Sequence, residues 1–467
     1  MKTTTRHFLG AALAALLLQG CNFLNVEQIG KSDIEGYFSE PSAAQAAVYG
    51  LLNLTYSLAD KYVLLYPEVA SDELVLSSSE STWALYQDFA TTSDDETGAL
   101  GYIWKNGYQI INNANQIISH APALREQYPT QADLMDACTA QALFIRAYAH
   151  LCLCLCFGQN YTYTSDASHP GVPVITKALS LSEPPSRQSV AEVYAQITAD
   201  LEEALQTFPE SAGFDRFYPS ALASKALLAR VSLYMERWAD AEKYAGEVIA
   251  QKSLTPRGSY VAMFNAMSEP ADDEMILTLG GYKSGKSSSH TMYWRQQPKA
   301  RPSERVTDLI PEGDVRTGVV CESGEAVCLK FDQQEGATDA YSNIPVLRVS
   351  EMYLIRAEAL LRQHDLSGAA ADLEALQSRA MGTAVTLPAM SEEEMDTAIE
   401  QERIKELCFE GHRLWDITRR HRNLVRTPDH TSSLSTLEYP DYRFVLPIPS
   451  VELEANTNIE NNPTDNG

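Results

Sequence analysis

The sequence predicts a mainly α-helical protein whose helices pack in pairs along a repeated scaffold. Three observations favour this fold class. Long stretches of the 467-residue chain place apolar residues three and four positions apart, as amphipathic helices do. Two of these stretches align with each other without gaps, which indicates an internal repeat. Hydrophobic residues make up 45% of the chain and charged residues 21%, a balance that is typical of proteins with a packed core.

The internal repeat pairs residues 224–250 with residues 352–378. Each copy is predicted to form a helix, a short turn and a second helix. The matched positions are Ala229 with Ala357, Leu233 with Leu361, Trp238 with Leu366 and Ala241 with Ala369. Alanines let paired helices approach closely, and leucines at helical spacing fill the groove between them. This pattern predicts tetratricopeptide-like packing, and such pairs must stack into one array to bury their apolar faces.

Further helical patterns extend this scaffold in both directions. They cover residues 42–58, 104–121, 142–158 and 190–208. The predicted helical scaffold therefore spans roughly residues 41–60, 104–250 and 345–425.

Two stretches of different composition interrupt the scaffold, at roughly residues 62–101 and 254–343. Both are rich in Ser, Gly, Asp and aromatic residues, so we predict loop-rich insertions, where binding residues usually lie. Short strands are predicted at residues 274–279 and 326–331 within the second stretch. An extended tail stiffened by prolines is predicted at residues 440–467.

The first twenty residues differ from the rest and predict a secretory signal peptide. Lys2 and Arg6 precede an uncharged apolar run at residues 8–18. This run is shorter than the ~20 residues that cross a bilayer, so we expect no transmembrane helix. The run leads into LLLQGC, which is similar to a bacterial lipobox and predicts removal of residues 1–20 and acylation of Cys21. Several acyl chains anchor a protein stably without spanning the membrane. Cleavage elsewhere, with an incidental Cys21, is the alternative.

The formal net charge of the chain is −26 at neutral pH. A charge of this sign and size repels the phosphates of nucleic acids and anionic lipid headgroups. Nucleic-acid binding is therefore excluded.

The remaining cysteines do not predict a metal site. Cys152, Cys154 and Cys156 alternate with leucines in an apolar run, and residues two apart on a helix point to different sides. They are predicted to be small buried side chains. Cys321 and Cys328 flank a turn-like stretch, and in an exported chain they either form a disulfide or remain free.

The most strongly charged segment spans residues 402–420. Opposite charges fall at helical neighbours: Arg403 with Glu406, Glu410 with Arg413, and Asp416 with Arg420. A glycosidase would use two carboxylates at a fixed separation, but this pattern favours a structural charge network. We assign no catalytic residue and expect no enzymatic activity.

A group of acidic residues in the first insertion could collect a calcium ion through oxygen ligands. These residues are Asp72, Glu73, Asp94, Asp95 and Glu96. Because they lack the spacing of a calcium-binding loop, helix capping or a solvated loop is the favoured interpretation. We predict no cofactor and leave a structural calcium ion open.

Sugar rings present an apolar face surrounded by hydroxyl groups, so a sugar site needs flat aromatic rings and polar hydrogen-bonding groups. In the two insertions, the candidates are Trp83, Tyr86, Tyr282, Tyr293, Trp294 and Arg295. Trp294 beside Arg295 is the leading candidate. Four other aromatic residues lie in helical patterns and are assigned to the core: Trp104, Tyr108, Trp238 and Trp415.

Several segments in a fixed order carry a family resemblance. They are FIRAYAHL with FG and GVPVI, YPSALASKALLARVSLYMERWADAEKYAGEVI, IPVLRVSEMYLIRAEALL, AIEQERIKELCFEGHRLWDITR and LPIPSVELEANTNIENNP. Together they resemble the SusD/RagB family of Bacteroidetes surface lipoproteins over essentially the whole mature chain. The tail ends in ENNPTDNG where the family usually has QNPGY.

The resemblance implies a single domain at residues 21–467, with about four tetratricopeptide-like helix pairs and a less regular face that meets the ligand. It also implies a lipid anchor at Cys21 in the outer membrane, facing the cell exterior. The implied partner is a SusC-like TonB-dependent transporter, to which the protein delivers a nutrient, most often an oligosaccharide. The alternatives are a peptide or another nutrient in the same role, a secreted glycan hydrolase, and a tetratricopeptide scaffold that binds only proteins.

Overall fold

The computed structural model describes residues 34–78, 80–177, 184–265, 270, 272–281, 287–331 and 341–465. The predicted signal peptide at residues 1–20, the lipid attachment at Cys21 and the candidate Tyr282 lie outside these residues.

The described chain is mainly helical, as predicted. Its α-helices are α1 (Ile34–Tyr37), α2 (Pro41–Leu58), α3 (Leu65–Val69), α4 (Ala84–Gln87), α5 (Ala99–Gln127), α6 (Ala132–Phe157), α7 (Val190–Thr207), α8 (Ala221–Tyr234), α9 (Trp238–Ile249), α10 (Ser288–Tyr293), α11 (Glu304–Thr307), α12 (Thr317–Val320), α13 (Val349–Arg362), α14 (Leu366–Met381), α15 (Glu392–Leu407), α16 (Arg413–Arg419) and α17 (Ser450–Ala455). A π-helical turn, Ala59–Val63, continues α2.

The strands are short. They are β1 (Leu74–Leu76), β2 (Met275–Leu279), β3 (Ala300–Pro302), β4 (Cys321–Glu322), β5 (Glu325–Ala326), β6 (Ile344–Arg348), β7 (Leu424–Val425) and β8 (Thr436–Leu437). They pair antiparallel two by two: β1 with β3, β2 with β6, β4 with β5 and β7 with β8. The predicted strand at residues 274–279 is confirmed. The strand predicted at residues 326–331 is wrong beyond Ala326, because the chain leaves the β4–β5 hairpin there.

Four helix pairs follow one another along the scaffold: α2 with α5, α6 with α7, α8 with α9, and α13 with α14. Successive pairs also pack on each other, and α15 covers the last pair. The predicted repeat corresponds to α8–α9 and α13–α14. Ala229 and Ala357 are fully buried, and Leu233 and Leu361 are no more than 2% exposed, so the predicted groove packing is confirmed.

The turn inside each repeat copy shows the same backbone conformation. Glu236 has φ 55° and His364 has φ 65°, and these residues occupy equivalent positions in the two copies. Non-glycine residues rarely adopt this left-handed conformation. The internal repeat therefore extends to the backbone geometry of the turn.

Local sequence signals set the ends of several helices. Ser189 with Glu192 begins α7, and Ser391 with Glu394 begins α15, each as a reciprocal capping box. Gly382, at φ 72°, ends α14 in a left-handed conformation that glycine adopts without strain.

The helix at Pro129–Phe157 is long and apolar enough to cross a membrane by length and composition alone. In its most apolar window, 83% of the residues are buried inside the protein. It therefore packs as a core helix, and no other helix in the described part of the chain passes the same test.

The predicted charge network around residues 402–420 exists, but its predicted pairs are wrong. Arg403 pairs with Asp416 at 2.8 Å, rather than with its helical neighbour. Arg413 pairs with Asp72 at 2.7 Å, and Asp416 also pairs with Arg419. The helices that carry these charges are buried on the relevant side, so partners on other elements join or replace the neighbours that a surface helix would use.

At the centre of this network is a buried group of charges that we term the ionic interior. Its members are Glu274, Asp314, Arg316, Lys330, Arg348, Arg379, Glu402, Glu406 and Glu410. Arg348 alone pairs with Glu274 at 2.8 Å, Glu406 at 2.7 Å and Glu410 at 2.8 Å. Buried charges must be paired in this way, because each one loses its hydration.

The interpretation of Asp72 and Glu73 as capping or solvated residues is wrong. Both are about 2% exposed. The Asp72 carboxylate accepts two hydrogen bonds from the Arg413 guanidinium, at 2.7 and 2.9 Å. The neighbouring Glu68 accepts hydrogen bonds from the backbone N–H groups of Phe409, Gly411 and His412. These contacts tie the chain before β1 to the start of α16.

Glu68 and Glu73 are buried close together, and their pKa values depend on each other. Burial raises the pKa of both carboxyl groups, and the charge of Glu68 raises that of Glu73 further. Three backbone N–H donors stabilise the ionised form of Glu68 and oppose the rise of its pKa, so the larger rise falls on Glu73.

The cysteines behave as small buried residues, as predicted for the apolar run. Cys152, Cys154 and Cys156 are at most 3% exposed and are free. Cys321 and Cys328 are also free. Their segment does form a hairpin, but its register places Ala326 opposite Cys321 and leaves Cys328 beyond the paired residues.

Candidate ligand-binding site

A two-stranded clasp joins the two loop-rich insertions. We use this term for β1, from the first insertion, paired with β3, from the second. Leu74 lies opposite Pro302 and Leu76 opposite Ala300, and the Ser77 N–H continues the ladder with a 2.8 Å hydrogen bond to the Lys299 carbonyl. Segments separated by more than 200 residues therefore form one surface.

A cavity of about 290 Å³ opens beside the clasp. It is lined by Lys61, Tyr62, Leu65, Glu80, Thr82, Trp83, Tyr86, Thr97, Gly98, Ala99, Ser288, Thr291, Met292 and Lys299. Both insertions and the end of the first scaffold helix contribute to this lining. We term it the clasp cavity.

The π-helical turn at Ala59–Val63 positions one wall of the clasp cavity. Leu64 N–H bonds to the Ala59 carbonyl, five residues back, so the turn contains an extra residue. Asp60 points inward, where its carboxylate accepts the Ser288 N–H at 2.7 Å and the Ser289 hydroxyl at 2.6 Å. Lys61 and Tyr62 are left at the cavity.

An ion pair crosses the clasp cavity. Glu80 accepts a hydrogen bond from Lys299 at 2.7 Å and from the Thr82 N–H at 2.7 Å. Burial alone would raise the pKa of Glu80, but these hydrogen bonds outweigh it and lower the pKa below the ordinary value. Glu80 is therefore ionised at neutral pH, and its side chain is only 2% exposed, whereas that of Lys299 is 46% exposed.

Trp83 and Tyr86, both predicted as ligand-binding candidates, line the clasp cavity together. Their ring centroids lie 5.2 Å apart. Trp83 is 9% exposed, so only a small part of its side chain is accessible at the cavity. Tyr86 is 3% exposed; its hydroxyl donates to the Asp95 carboxylate and accepts the Leu100 N–H at 2.9 Å. Tyr86 thus supports the wall, and Trp83 is the more accessible of the two rings.

An aromatic pair at the clasp cavity was missed in the sequence. Tyr62 stacks nearly parallel on Tyr102, with centroids 5.4 Å apart and an angle of 11° between the rings. Tyr102 is 39% exposed. Forty residues and a helix boundary separate the two tyrosines in the chain. The one sequence signal for their contact is that they lie at the two ends of the first insertion.

The candidates from the second insertion are distributed differently. Tyr293 is fully buried and packs on Phe331 and Phe409, so its assignment to the ligand surface is corrected to the core. Its position in the last turn of α10 points it inward. Trp294 and Arg295 follow α10 and are half-buried, and Arg295 pairs with Glu322 at 2.9 Å. Neither residue lines the clasp cavity, although Thr291 and Met292 of the same segment do.

The aromatic residues assigned to the core are found there. Trp104 and Trp415 are 5% exposed, and Tyr108 and Trp238 pack against the same core. Trp104 and Tyr108 also border a cavity of about 440 Å³ next to the C-terminal tail. A third cavity, of about 500 Å³, lies beside α2.

The chemistry of the clasp cavity combines flat rings with hydroxyl groups and charged hydrogen-bonding groups. Glu80 is the one carboxylate in the described lining, and it is held in an ion pair. Among the described residues, no group of three or more His, Cys, Asp or Glu side chains is placed to hold a metal ion. The lining suits a ligand with apolar faces and many hydroxyl groups.

Comparison with known families finds two matching models. A model described as "SusD family" matches residues 316–464. A model described as "Starch-binding associating with outer membrane" matches residues 23–233.

Curated and solved relatives match over nearly their full lengths. SusD-like protein P2 of Formosa agariphila is 26% identical over 514 residues, covering 96% of this chain and 97% of that protein. A SusD superfamily protein from Bacteroides thetaiotaomicron is 25% identical with a TM-score of 0.81, covering 91% of this chain and 100% of that structure. A SusD-like carbohydrate binding protein from Bacteroides vulgatus, 22% identical with a TM-score of 0.74, shares the fold over 90% of this chain and 97% of that one.

Proposed function

The chain belongs to the SusD/RagB family, and on that premise we propose that it binds an oligosaccharide at the clasp cavity and delivers it to an outer-membrane transporter. The observation that carries the proposal is the lining of this cavity. It combines Trp83 and the stacked Tyr62 with hydroxyl groups and the Glu80–Lys299 pair.

The geometry supports binding of an oligosaccharide because the aromatic and the polar side chains of the lining each match one part of a sugar ring. Aromatic faces and edges contact the apolar C–H surface, and hydroxyls and charged groups exchange hydrogen bonds with the sugar hydroxyls. Thr82, Thr97, Ser288 and Thr291 supply these hydroxyls around the cavity. The open cavity also suits release, because a ligand that is held too tightly cannot be handed on.

Trp294 and Arg295 stay predicted as ligand-binding residues, and we propose that they contact the part of a ligand that extends beyond the clasp cavity. They directly follow the cavity-lining part of α10, and the Trp294 carbonyl accepts a hydrogen bond from Gln297 N–H in the turn that leads to Lys299. Tyr282, outside the described residues, stays a candidate on the same insertion.

The site supports binding rather than hydrolysis. Glycosidases act through two carboxyl groups roughly 5 to 10 Å apart on either side of the scissile bond. The described lining of the clasp cavity contains only Glu80, and its ion pair with Lys299 holds it in the ionised form.

The proposed location is the outer membrane, with the protein tethered through acylated Cys21 and facing the exterior. The lipobox-like LLLQGC and the outer-membrane description of the matching family model support it. The proposed partner is a SusC-like TonB-dependent barrel. In a Bacteroidetes host, the wild-type protein should sediment with the outer membrane and incorporate labelled palmitate. Cys21→Ala should do neither, and acylation of the variant would refute the anchor.

The binding proposal is tested with an array of neutral and acidic oligosaccharides, followed by calorimetry on the best binder. Trp83→Ala should raise Kd by about 5-fold, because the ring contact contributes about 1 kcal/mol. The matched control is Tyr163→Ala, which removes another aromatic residue, 43% exposed and outside the clasp cavity. Equal affinities of wild type and Trp83→Ala, or binding of peptides instead of sugars, would refute the proposal.

A further inference from the structure

The cavity of about 500 Å³ beside α2 is lined by a different set of aromatic rings, of which Tyr49 is exposed. Tyr49 projects from α2 and is 48% exposed. Its ring lies 6.0 Å from that of Tyr218, with an angle of 56° between the rings, so the two form an open corner. Phe217 and Tyr341 complete the aromatic walls. We term this the α2 cavity.

The exposure of these rings is not explained by packing within the chain. A Cβ atom added at Gly50, next to Tyr49, would meet nothing within 4 Å, so the surface there is open. Burying a large aromatic side chain is favourable, and exposed clusters of apolar residues usually mark interaction sites.

Polar groups stand at hydrogen-bonding positions around the same rings. Asn53 is exposed one helical turn after Tyr49, and Asp215 is exposed at the opposite wall. The Asp215 carboxylate accepts the Phe217 N–H at 2.9 Å, which fixes the turn that presents Phe217 and Tyr218. Asn343 is held by a 3.0 Å hydrogen bond from Gly281 N–H to its side-chain oxygen.

The segments that line the α2 cavity and the clasp cavity contact each other. Tyr341 and Asn343 line the first cavity, and the hydroxyl of Ser287 donates to that of Ser342, between them, at 3.4 Å. Ser288, the residue after Ser287, lines the clasp cavity. One continuous helical segment also contributes to both cavities, with Tyr49 near the middle of α2 and Tyr62 in the π-helical turn at its end, about 20 Å apart along the axis.

From this arrangement we infer that the α2 cavity is a second carbohydrate-binding subsite, which takes uncharged sugar units of the same polymer that occupies the clasp cavity. The inference rests on the proposed function of the clasp cavity. An uncharged unit fits best because the described lining of the α2 cavity has one carboxylate, Asp215, and no lysine or arginine. A polymer that engages both cavities gains effective concentration without any new contact at either one.

The test uses affinity electrophoresis of the purified mature protein through gels that contain starch, xylan, β-glucan, galactomannan or levan. The Tyr49→Ala/Tyr218→Ala double variant should raise the apparent Kd for the retarding polysaccharide at least 10-fold. Its Kd for a trisaccharide of that polymer, measured by calorimetry, should change less than twofold. Trp83→Ala should weaken binding of both polymer and trisaccharide.

Two controls separate ring loss from misfolding. Tyr49→Phe retains the ring and should bind the polymer as the wild type does, and Tyr163→Ala removes an exposed tyrosine elsewhere. The melting temperature of each variant is measured alongside.

Each outcome bears on one of the two proposals. Unchanged polymer binding by the double variant, with loss in Trp83→Ala, overturns the α2 subsite and leaves the proposed function in place. Loss in the double variant alone supports the α2 subsite and overturns the clasp cavity as the primary site. If none of the five polysaccharides retards the wild-type protein, both proposals are overturned.

Discussion

The helix pairs and the ionic interior are held together by opposite kinds of chemistry within one fold. In the pairs α8–α9 and α13–α14, fully buried alanines and leucines fill the space between helices. In the ionic interior, Arg348 and its neighbours bury whole guanidinium groups against carboxylates from four parts of the chain. The first interior depends on shape and apolar area, whereas the second depends on complete charge pairing.

The difference has a structural consequence. The repeat pairs form the frame, and the ionic interior joins that frame to the irregular segments that carry the cavities. Glu274 precedes β2 in the second insertion, and Asp72, paired with Arg413, precedes β1 in the first. A buried ion pair adds little net stability compared with apolar packing, but it penalises every arrangement that leaves one charge unpaired. The charges therefore fix where the insertions attach.

The largest expected effect comes from breaking the ionic interior at Arg348. Arg348→Met retains an unbranched apolar side chain but removes the guanidinium that pairs with Glu274, Glu406 and Glu410. We expect the free energy of unfolding to fall by about 4 kcal/mol in urea denaturation. The control is Arg125→Met, whose ion pair with Asp136 is at the surface, so its loss should change the free energy of unfolding little. Similar losses of unfolding free energy in the two variants would show that the buried ion pairs contribute no more to stability than a surface ion pair does.

A slightly smaller loss of unfolding free energy is expected from a substitution between the helices of a repeat pair. Leu361→Ala leaves a cavity between α13 and α14 and should lower the free energy of unfolding by about 3 kcal/mol. Leu233→Ala, at the equivalent position of the other copy, should cost the same within about 1 kcal/mol. Leu85→Ala, at a residue that is 48% exposed, serves as the surface control. Clearly unequal losses at Leu233 and Leu361 would show that the two copies do not pack alike.

The charges that anchor the first insertion predict a pH effect. Glu73 is protonated in the folded protein, because burial and the nearby Glu68 raise its pKa well above the ordinary value. A raised carboxyl pKa favours folding at low pH, and this contribution is lost as the pH rises from about 4.5 through the folded-state pKa.

Replacing Glu73 with Gln removes this proton linkage. Above pH 5, the unfolding free energy of Glu73→Gln should therefore improve relative to wild type, by up to about 1 kcal/mol per pH unit. Denaturation curves of both proteins between pH 5 and 8 measure this difference. A constant difference across that range would show that Glu73 is ionised in the fold.

The smallest effects on stability are expected at helix caps. The loss of a cap should cost the same in the helical array as in a helix that carries charges of the ionic interior. Ser189→Ala removes the capping box of α7 in the helical array, and Ser391→Ala removes that of α15, which carries Glu402 and Glu406. Each should lower the free energy of unfolding by about 1 kcal/mol, measured by thermal and chemical denaturation. Ser119→Ala, at an exposed position of helix α5, is the control and should change little. A loss of stability in only one of the two variants would indicate that capping contributes to stability in one region and not in the other.

The two interiors also differ in how well the sequence predicts them. The repeat could be recognised because both partners of each contact follow the same helical period a few residues apart. The charge network was recognised as structural, but its pairs were not, because Arg348 lies 74 residues from Glu274 and 58 from Glu406. Spacing along one helix contains no information about such partners.

The same limit applies to the candidate site. Residue chemistry located Trp83 and Tyr86 correctly in the cavity lining, since both lie within one short segment. It missed Tyr62, whose place at the cavity depends on a π-helical turn that no residue pattern predicts. It also placed Tyr293 outward, because its neighbours resemble a loop although the residue ends a short buried helix.

The clasp of β1 and β3 offers a practical opportunity for protein engineering. Because the spacing of the two cavity walls is set by three backbone-paired positions in each strand, the intervening loops can be exchanged as cassettes without moving their anchor points. Grafting residues 77–98 from a relative that binds another ligand onto this frame would test whether this segment determines ligand preference.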